Sequence, residues 1–266
     1  MTATESLLFG LIQGLTEFLP VSSSGHLALM KNLWGLENIP LVFDILLHFA
    51  TLLAVLIMFR TRLGELMRSV YRSITGRADE QDRMHIRLIG LIIAATIVTA
   101  VLGIAIGSIP GLGENITVIS ICFMITALIL LASSKLPIGN KNYGNITVKD
   151  SLFIGLAQGV GVFPGISRSG ISISAGLAMG LKREVAGEFS FILSIPAIIG
   201  AALLKIRDLS DMSEHIGIPV LFLGMLAAFI SGFFSLMFLM RLVRQGKFFY
   251  FAFYLIPLSI VGLLWL

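Results

Sequence analysis

Runs of about twenty apolar residues recur along this chain of 266 residues, and a helix of that length crosses a roughly 30 Å hydrocarbon core. Six segments read this way: Leu41 to Phe59, Leu88 to Gly107, Ile116 to Ser134, Glu188 to Leu204, Pro219 to Met240 and Phe248 to Leu266. A mean hydropathy of +0.96 and a charged fraction of 13% agree with this, since a soluble domain carries about 25% charged residues. The predicted fold class is therefore an all-α polytopic membrane protein, with residues 1–266 forming a single membrane domain. The net charge of +4 and pI near 9.4 do not point to nucleic acid, because the basic residues fall in short loops between apolar runs. That distribution sets topology.

The stretch Arg60 to Arg87 holds seven arginines against four acidic residues and is predicted to be a cytoplasmic loop. Ser108 to Asn115 carries no Lys or Arg and belongs outside. Lys135, Lys141 and Lys149, then Lys182 and Arg183, then Arg241, Arg244 and Lys247 mark inside loops, which leaves Lys205 to Ile218 outside. The N-terminal stretch has no Lys or Arg before its apolar run and carries Glu5, Gln13 and Glu17 within it, unlike a cleaved signal peptide, so the whole chain is read as mature. The single cysteine, Cys122, can build neither a disulfide nor a cysteine metal site.

Two apolar segments, 5–33 and 151–181, are broken by Gly, Pro and clustered Ser. With the loops placed as above, the first begins and ends outside and the second inside, so each is predicted to be a re-entrant helix-loop-helix element. Such backbone is tolerated at membrane depth only where protein or water satisfies its polar groups. The two elements are also alike. Laying Gly10 to Gly25 over Gly155 to Gly170 matches eight of sixteen positions without a gap: Gly10, Leu11, Gln13, Gly14, Phe18, Ser22, Ser24 and Gly25 meet Gly155, Leu156, Gln158, Gly159, Phe163, Ser167, Ser169 and Gly170. The chain reads as a tandem duplication, 1–134 and 151–266, each unit one re-entrant element plus three spans. Because three is odd, the second copy is inverted. Inverted repeats place a binding site at their interface, in broken helices.

At each break a Pro precedes a Ser-rich stretch and a renewed helix: Pro20, then Ser22, Ser23, Ser24, Gly25 and His26; Pro164, then Ser167, Arg168, Ser169 and Gly170. Ser is a good N-cap, and helix N-termini offer free amide donors and partial positive charge. Two such ends suit phosphate, and Arg168 adds a donor fork that matches its oxygens. Charge inside a membrane is costly, so Glu17, His26 and Arg168 point to catalysis. Ser23 and His26 stand three apart, on one face of a helix, as nucleophile and base would. Glu17 either orients His26 or coordinates a divalent cation on the substrate. Ser22, Ser24, Gln13, Ser167, Ser169 and Gly170 complete the predicted binding set, while Asp44, His48 and Glu188 near span starts suit a helix-dipole or interface role at least as well.

The stretches QGLTEFLPVSSSGH, Gln13 to His26, and PGISRSG, Pro164 to Gly170, resemble the two signature motifs of the undecaprenyl-diphosphate phosphatase (bacitracin-resistance protein) family. The resemblance covers nearly the whole chain. It implies hydrolysis of undecaprenyl diphosphate, recycling a cell-wall carrier lipid in a bacterial cytoplasmic membrane, with Mg2+ or Ca2+ as cofactor and a site opening to the extracytoplasmic side. It implies that Glu17 belongs to an acidic motif, that Ser23 is the nucleophile, that His26 is its acid or base partner and that Arg168 binds the diphosphate. Family members often have Glu where this chain has Gln13, which leaves Glu17 as the one carboxylate and argues against a two-carboxylate metal site. The partner is thus a polyprenyl diphosphate lipid. Small residues around Ile198 to Ala202 would permit a homodimer. A lipid-phosphate or anion transporter is the rival, since inverted repeats suit it equally, but a carrier needs no Ser with a base.

Overall fold

The computed structural model describes residues 1–35, 39, 41–109, 111–113, 115–204 and 217–265. Among these the chain is all-helical, with eleven α-helices: α1 Ala3–Phe18, α2 Ser23–Trp34, α3 Leu41–Met58, α4 Arg60–Ile74, α5 Glu80–Gly107, α6 Ile116–Ser134, α7 Val148–Val160, α8 Arg168–Ala178, α9 Arg183–Leu204, α10 Ile218–Gln245 and α11 Ala252–Trp265. Helix covers most of the described part of each predicted span, with Phe59 a turn after α3 and Phe248–Phe251 a 3-10 helix before α11. Four helices, α5, α6, α9 and α10, are long and apolar enough to cross a membrane, and α3 meets that measure when joined to α4, from which it is bent by 76°. A row on α5, Ile93, Ile97, Val101 and Ile104, stands exposed. Apolar side chains repeated along one helix face in this way are what a lipid-facing surface requires. The chain is a multi-pass membrane protein. The predicted outside loop from Lys205 lies, through residue 216, outside the described residues.

The stretch from Arg60 to Arg87 departs from expectation. It folds into α4 and the first turns of α5. Leu63, Leu66 and Val70 recur at helical spacing beneath the arginines, with Leu66 buried, and Asp79 caps α5 by accepting from the Asp82 N–H at 2.8 Å.

The two sequence breaks are breaks in the structure. Pro20 pushes Leu19 out of the helical region to ψ 143°, as a residue before proline must go, and α1 stops at Phe18. Ser22 then takes φ +68°, alone among the described non-glycine residues in being left-handed. That conformation costs on the order of 1–3 kcal/mol and persists only where surroundings enforce it. Here the Ser22 hydroxyl accepts from the Gly165 N–H at 3.0 Å, across the interface with the other break, and from the Gly25 N–H at 3.4 Å. In the second break Gly165 sits at φ +92° against the Ile119 carbonyl and Cys122. Thr126 donates to the Gly165 carbonyl at 3.0 Å and accepts from the Ser167 N–H at 3.1 Å, and Ser167 caps Gly170 at 3.1 Å.

The matched glycines serve packing. α1 lies along α10, where a Cβ on Gly10 or Gly14 would run into the backbone of Gly224 or of Ala228 and Gly232; α7 lies along α5, where Gly155 and Gly159 press on Ala95 and Leu102. Matching serines seal both pairs. Ser6 donates to the Val220 carbonyl at 2.5 Å, and Ser151 donates to Leu91 at the same distance. We therefore expect Gly14→Val to lose about 1–3 kcal/mol through overpacking, read as a fall in the melting temperature in detergent. Gly90→Ala on the exposed face of α5, where a Cβ meets nothing within 4 Å, should leave that temperature unchanged or raise it.

Candidate active site

The end of α1, the starts of α2 and α8, the turn after α7 and His48 of α3 line a cavity of about 90 Å³. Glu17, one residue before α1 ends, is its centre, with a side chain only 6% exposed. Its Oε2 accepts from the Ser23 hydroxyl at 2.5 Å and from the Gln13 Nε2 at 3.0 Å. His48, about two turns into α3, brings its Nδ1 within 3.1 Å of the same oxygen and 2.9 Å of the Gln13 amide. The other oxygen, Oε1, faces the Arg168 Nη1 at 3.7 Å. A carboxylate so deeply buried needs such partners, and together they fix where it points.

Of the predicted site residues, Glu17, Ser22, Ser23, Ser24, Ser167 and Arg168 line the cavity. Gln13 lies fully buried beneath it. Gly170 spends its N–H on the Ser167 cap, and Ser169 lines a smaller space of about 20 Å³ with Gln158, Ser172, Ser190 and Ser194. The predicted approach of Ser23 and His26 does not occur. Helical side chains lean toward the N-terminus, and the His26 Nδ1 folds back to the Ser22 carbonyl at 2.8 Å while its Nε2 meets the Tyr254 hydroxyl at 2.8 Å. The ring stacks on Tyr254 and edges onto Phe123. Glu17 consequently orients Ser23 and not His26.

His48 takes the place that spacing had given to His26. A histidine inside an apolar run is a functional candidate on cost alone, and that was the available signal; Tyr254 and Thr126 offered none. Asp44 and Glu188 have ordinary partners instead: Asp44 pairs with Lys31, and Glu188 accepts from Arg62 at 2.9 Å.

The repeat offset of 145 residues relates Ser23 to Arg168, each the first residue of its helix. By the same offset Val162 stands where Glu17 does, and Leu193 where His48 does, while Gln158 donates to the Leu193 carbonyl at 3.4 Å. One half carries the carboxylate and the histidine, and the other the arginine.

The cavity offers one carboxylate, and among the described residues no group of three His, Cys, Asp or Glu could hold a metal ion. Mg2+ is commonly held by one or two carboxylates plus substrate phosphates. The donor set thus fits an ion shared with a phosphorylated substrate and does not fit a cage made of protein alone.

Residues 6–261 match the family model described as Bacitracin resistance protein BacA. An undecaprenyl-diphosphatase of Treponema denticola is 46% identical over 260 residues, covering 98% of this chain and 96% of that protein. Those of Carboxydothermus hydrogenoformans and Methanobrevibacter smithii are 40% and 36% identical, each covering 96% of this chain and 94% of the relative. With its two broken helices meeting at a serine, a carboxylate and an arginine, the chain belongs to the Bacitracin resistance protein BacA family.

Proposed function

We propose that this protein hydrolyses undecaprenyl diphosphate to undecaprenyl phosphate and inorganic phosphate, which recycles a cell-wall lipid carrier and confers bacitracin resistance. The observation that carries this is the Ser23 hydroxyl donating to Glu17 at 2.5 Å with Arg168 on the carboxylate's other side. A diphosphate entering the cavity draws the guanidinium onto its terminal phosphate, where the planar fork fits two oxygens. Arg168 then leaves Glu17 free to take the Ser23 proton. The Ser23 oxygen attacks the terminal phosphorus, the bond to the bridging oxygen breaks, and polyprenyl phosphate departs. Water hydrolyses the phosphoserine, releasing phosphate and returning the proton to Ser23. The N–H groups of α2 and α8 and the Ser22, Ser24 and Ser167 hydroxyls stabilise the transferring group. Gln13 and His48 hold Glu17. His26 braces the first turn of α2 through the Ser22 carbonyl.

Glu17 would hold Mg2+ or Ca2+ alongside the substrate, and the ion would supply charge neutralisation to the diphosphate. Phosphate release from a polyprenyl diphosphate by purified protein should therefore stop on chelation and return with either ion. Binding of the lipid without any phosphate release would replace hydrolysis with transport.

The same reading sets six spans, α3, α5, α6, α9, α10 and α11, around two re-entrant pairs, α1–α2 and α7–α8, as inverted repeats over 1–134 and 151–266. Its support is the reciprocal packing of α1 on α10 and α7 on α5, through residues of α1 and α7 related by the 145-residue offset. The site then opens on the extracytoplasmic side of a bacterial inner membrane.

A further inference from the structure

Helix α4 presents a surface that no part of the catalytic reading uses. Its inner face is fastened at several points. Arg62 donates to Glu188 of α9 at 2.9 Å and lies 4.6 Å over the Tyr143 ring. Ser69, buried, donates to Asp82 of α5 at 2.7 Å and stands 2.8 Å from the His85 Nδ1. Leu66 is buried between these contacts. With the inner face held this firmly, the rotation of α4 about its own axis is fixed, and so is what it shows outward.

The outward face is apolar. Met67, Tyr71 and Ile74, spaced four and three apart, are 73%, 65% and 80% exposed, far more than single apolar side chains need be. Around them stand Arg60, Arg68 and Arg72, with Arg77 just beyond the helix end, all exposed. Arg72 is engaged by Asp79 and Asp82 at 3.4 and 3.6 Å. Arg60, Arg68 and Arg77 have no carboxylate partner among the described residues. Because α4 leaves α3 at 76°, a membrane-crossing α3 lays α4 nearly along the bilayer surface. A helix so placed, apolar on one face and rimmed with arginine, matches an interfacial anchor. Arginine stems can lie along the acyl boundary while their heads reach the phosphates.

We propose that the outer face of α4 binds anionic phospholipid headgroups of the leaflet that the basic loops mark as cytoplasmic, with Met67, Tyr71 and Ile74 inserted below the headgroups and Arg60 and Arg68 on the phosphates. A second copy of this chain is the poorer occupant: two such faces would bring unpaired arginines against each other. Negative lipid offers the complementary charge. The proposal needs α3 to cross the bilayer but is independent of the hydrolysis assigned to the cavity.

The test places an environment-sensitive fluorophore on Met67→Cys. The other cysteine, Cys122, is 6% exposed and stays unlabelled in the folded protein. Detergent-solubilised protein is titrated with short-chain phosphatidylglycerol or phosphatidylcholine, and labelled protein in nanodiscs of each headgroup is challenged with aqueous iodide and with headgroup spin-labelled lipid. The expected result is a saturable, salt-sensitive response to phosphatidylglycerol alone, with the label protected from iodide and quenched by the spin label. Arg60→Gln/Arg68→Gln should weaken the apparent affinity roughly 30-fold, about fivefold per arginine, with the gel-filtration profile unchanged. Arg168→Ala should leave the titration as it is, separating α4 from the substrate site. Equal responses to both lipids would overturn the anionic selectivity. Free access of iodide in both nanodiscs, or self-quenching between labels on two copies, would overturn the proposal altogether.

Discussion

Ser23→Ala and Glu17→Gln should each lower kcat/KM for phosphate release by about 10²–10⁴-fold, the range expected when a positioned base is lost, and the double variant should be no slower than the slower single one. The 2.5 Å hydrogen bond is the reason. If the hydroxyl reacts only through the carboxylate that receives its proton, either loss disables the same step, and groups acting as a unit are strongly non-additive. Both variants should fold. Ser23→Ala removes one buried hydroxyl, and Glu17→Gln keeps the shape and still accepts from Gln13 and Ser23. A thermal melt beside each assay separates chemistry from stability. Multiplicative losses in the double variant would mean that Ser23 and Glu17 serve different steps. Rapid quenching of a turnover with terminally labelled diphosphate should trap label on serine in the native enzyme and none in Ser23→Ala. A native enzyme that turns over without ever carrying label would give the attack to water, with Ser23 holding it.

Part of this was legible in the sequence because it depends on local rules. The Pro and Ser clusters at residues 20–24 and 164–169 mark helix ends through backbone chemistry that acts within a few residues, and both ends lie where those clusters are. Gly10, Gly14, Gly155 and Gly159 let α1 and α7 press on α10 and α5, the close packing that glycines in apolar helices commonly serve. What was not legible is what tertiary placement decides. Helical spacing put Ser23 and His26 on one face, but the ring's rotamer turned it to the Ser22 carbonyl and to Tyr254, 228 residues away. His48 reaches Glu17 only because α3 crosses the end of α1, and no spacing in the chain encodes that crossing. Helix α4 was hidden by its own arginines. A stretch counted for charge reads as loop, whereas the 3.6-residue period of Leu63, Leu66 and Val70 runs beneath the charges.

Arg168→Lys should cost about 10²–10³-fold in kcat/KM, the usual loss when one preorganised donor to a transition-state oxyanion is removed, even though the charge is kept. Lysine offers a point charge on a flexible stem; the guanidinium offers two parallel donors in one plane. Position makes the distinction sharp. Arg168 opens α8 as Ser23 opens α2, so both side chains leave their helices beside helix N-termini at the same cavity, one to serve as nucleophile and one as clamp in the proposed reaction. The duplication alone would allow the two to trade places. It does not, because the second repeat has Val162 and Leu193 where the first has Glu17 and His48. The exchanged variant, Ser23→Arg with Arg168→Ser, keeps both residue types and both helix ends yet sets the new serine beside Val162, away from the base. It should therefore be as inactive as Ser23→Ala in the phosphate-release assay. Recovered activity in the exchange would mean that the helix ends and the arginine carry the reaction, with Glu17 needed only to hold the fold; an inactive but folded exchange would place the chemistry in the Ser23–Glu17 contact.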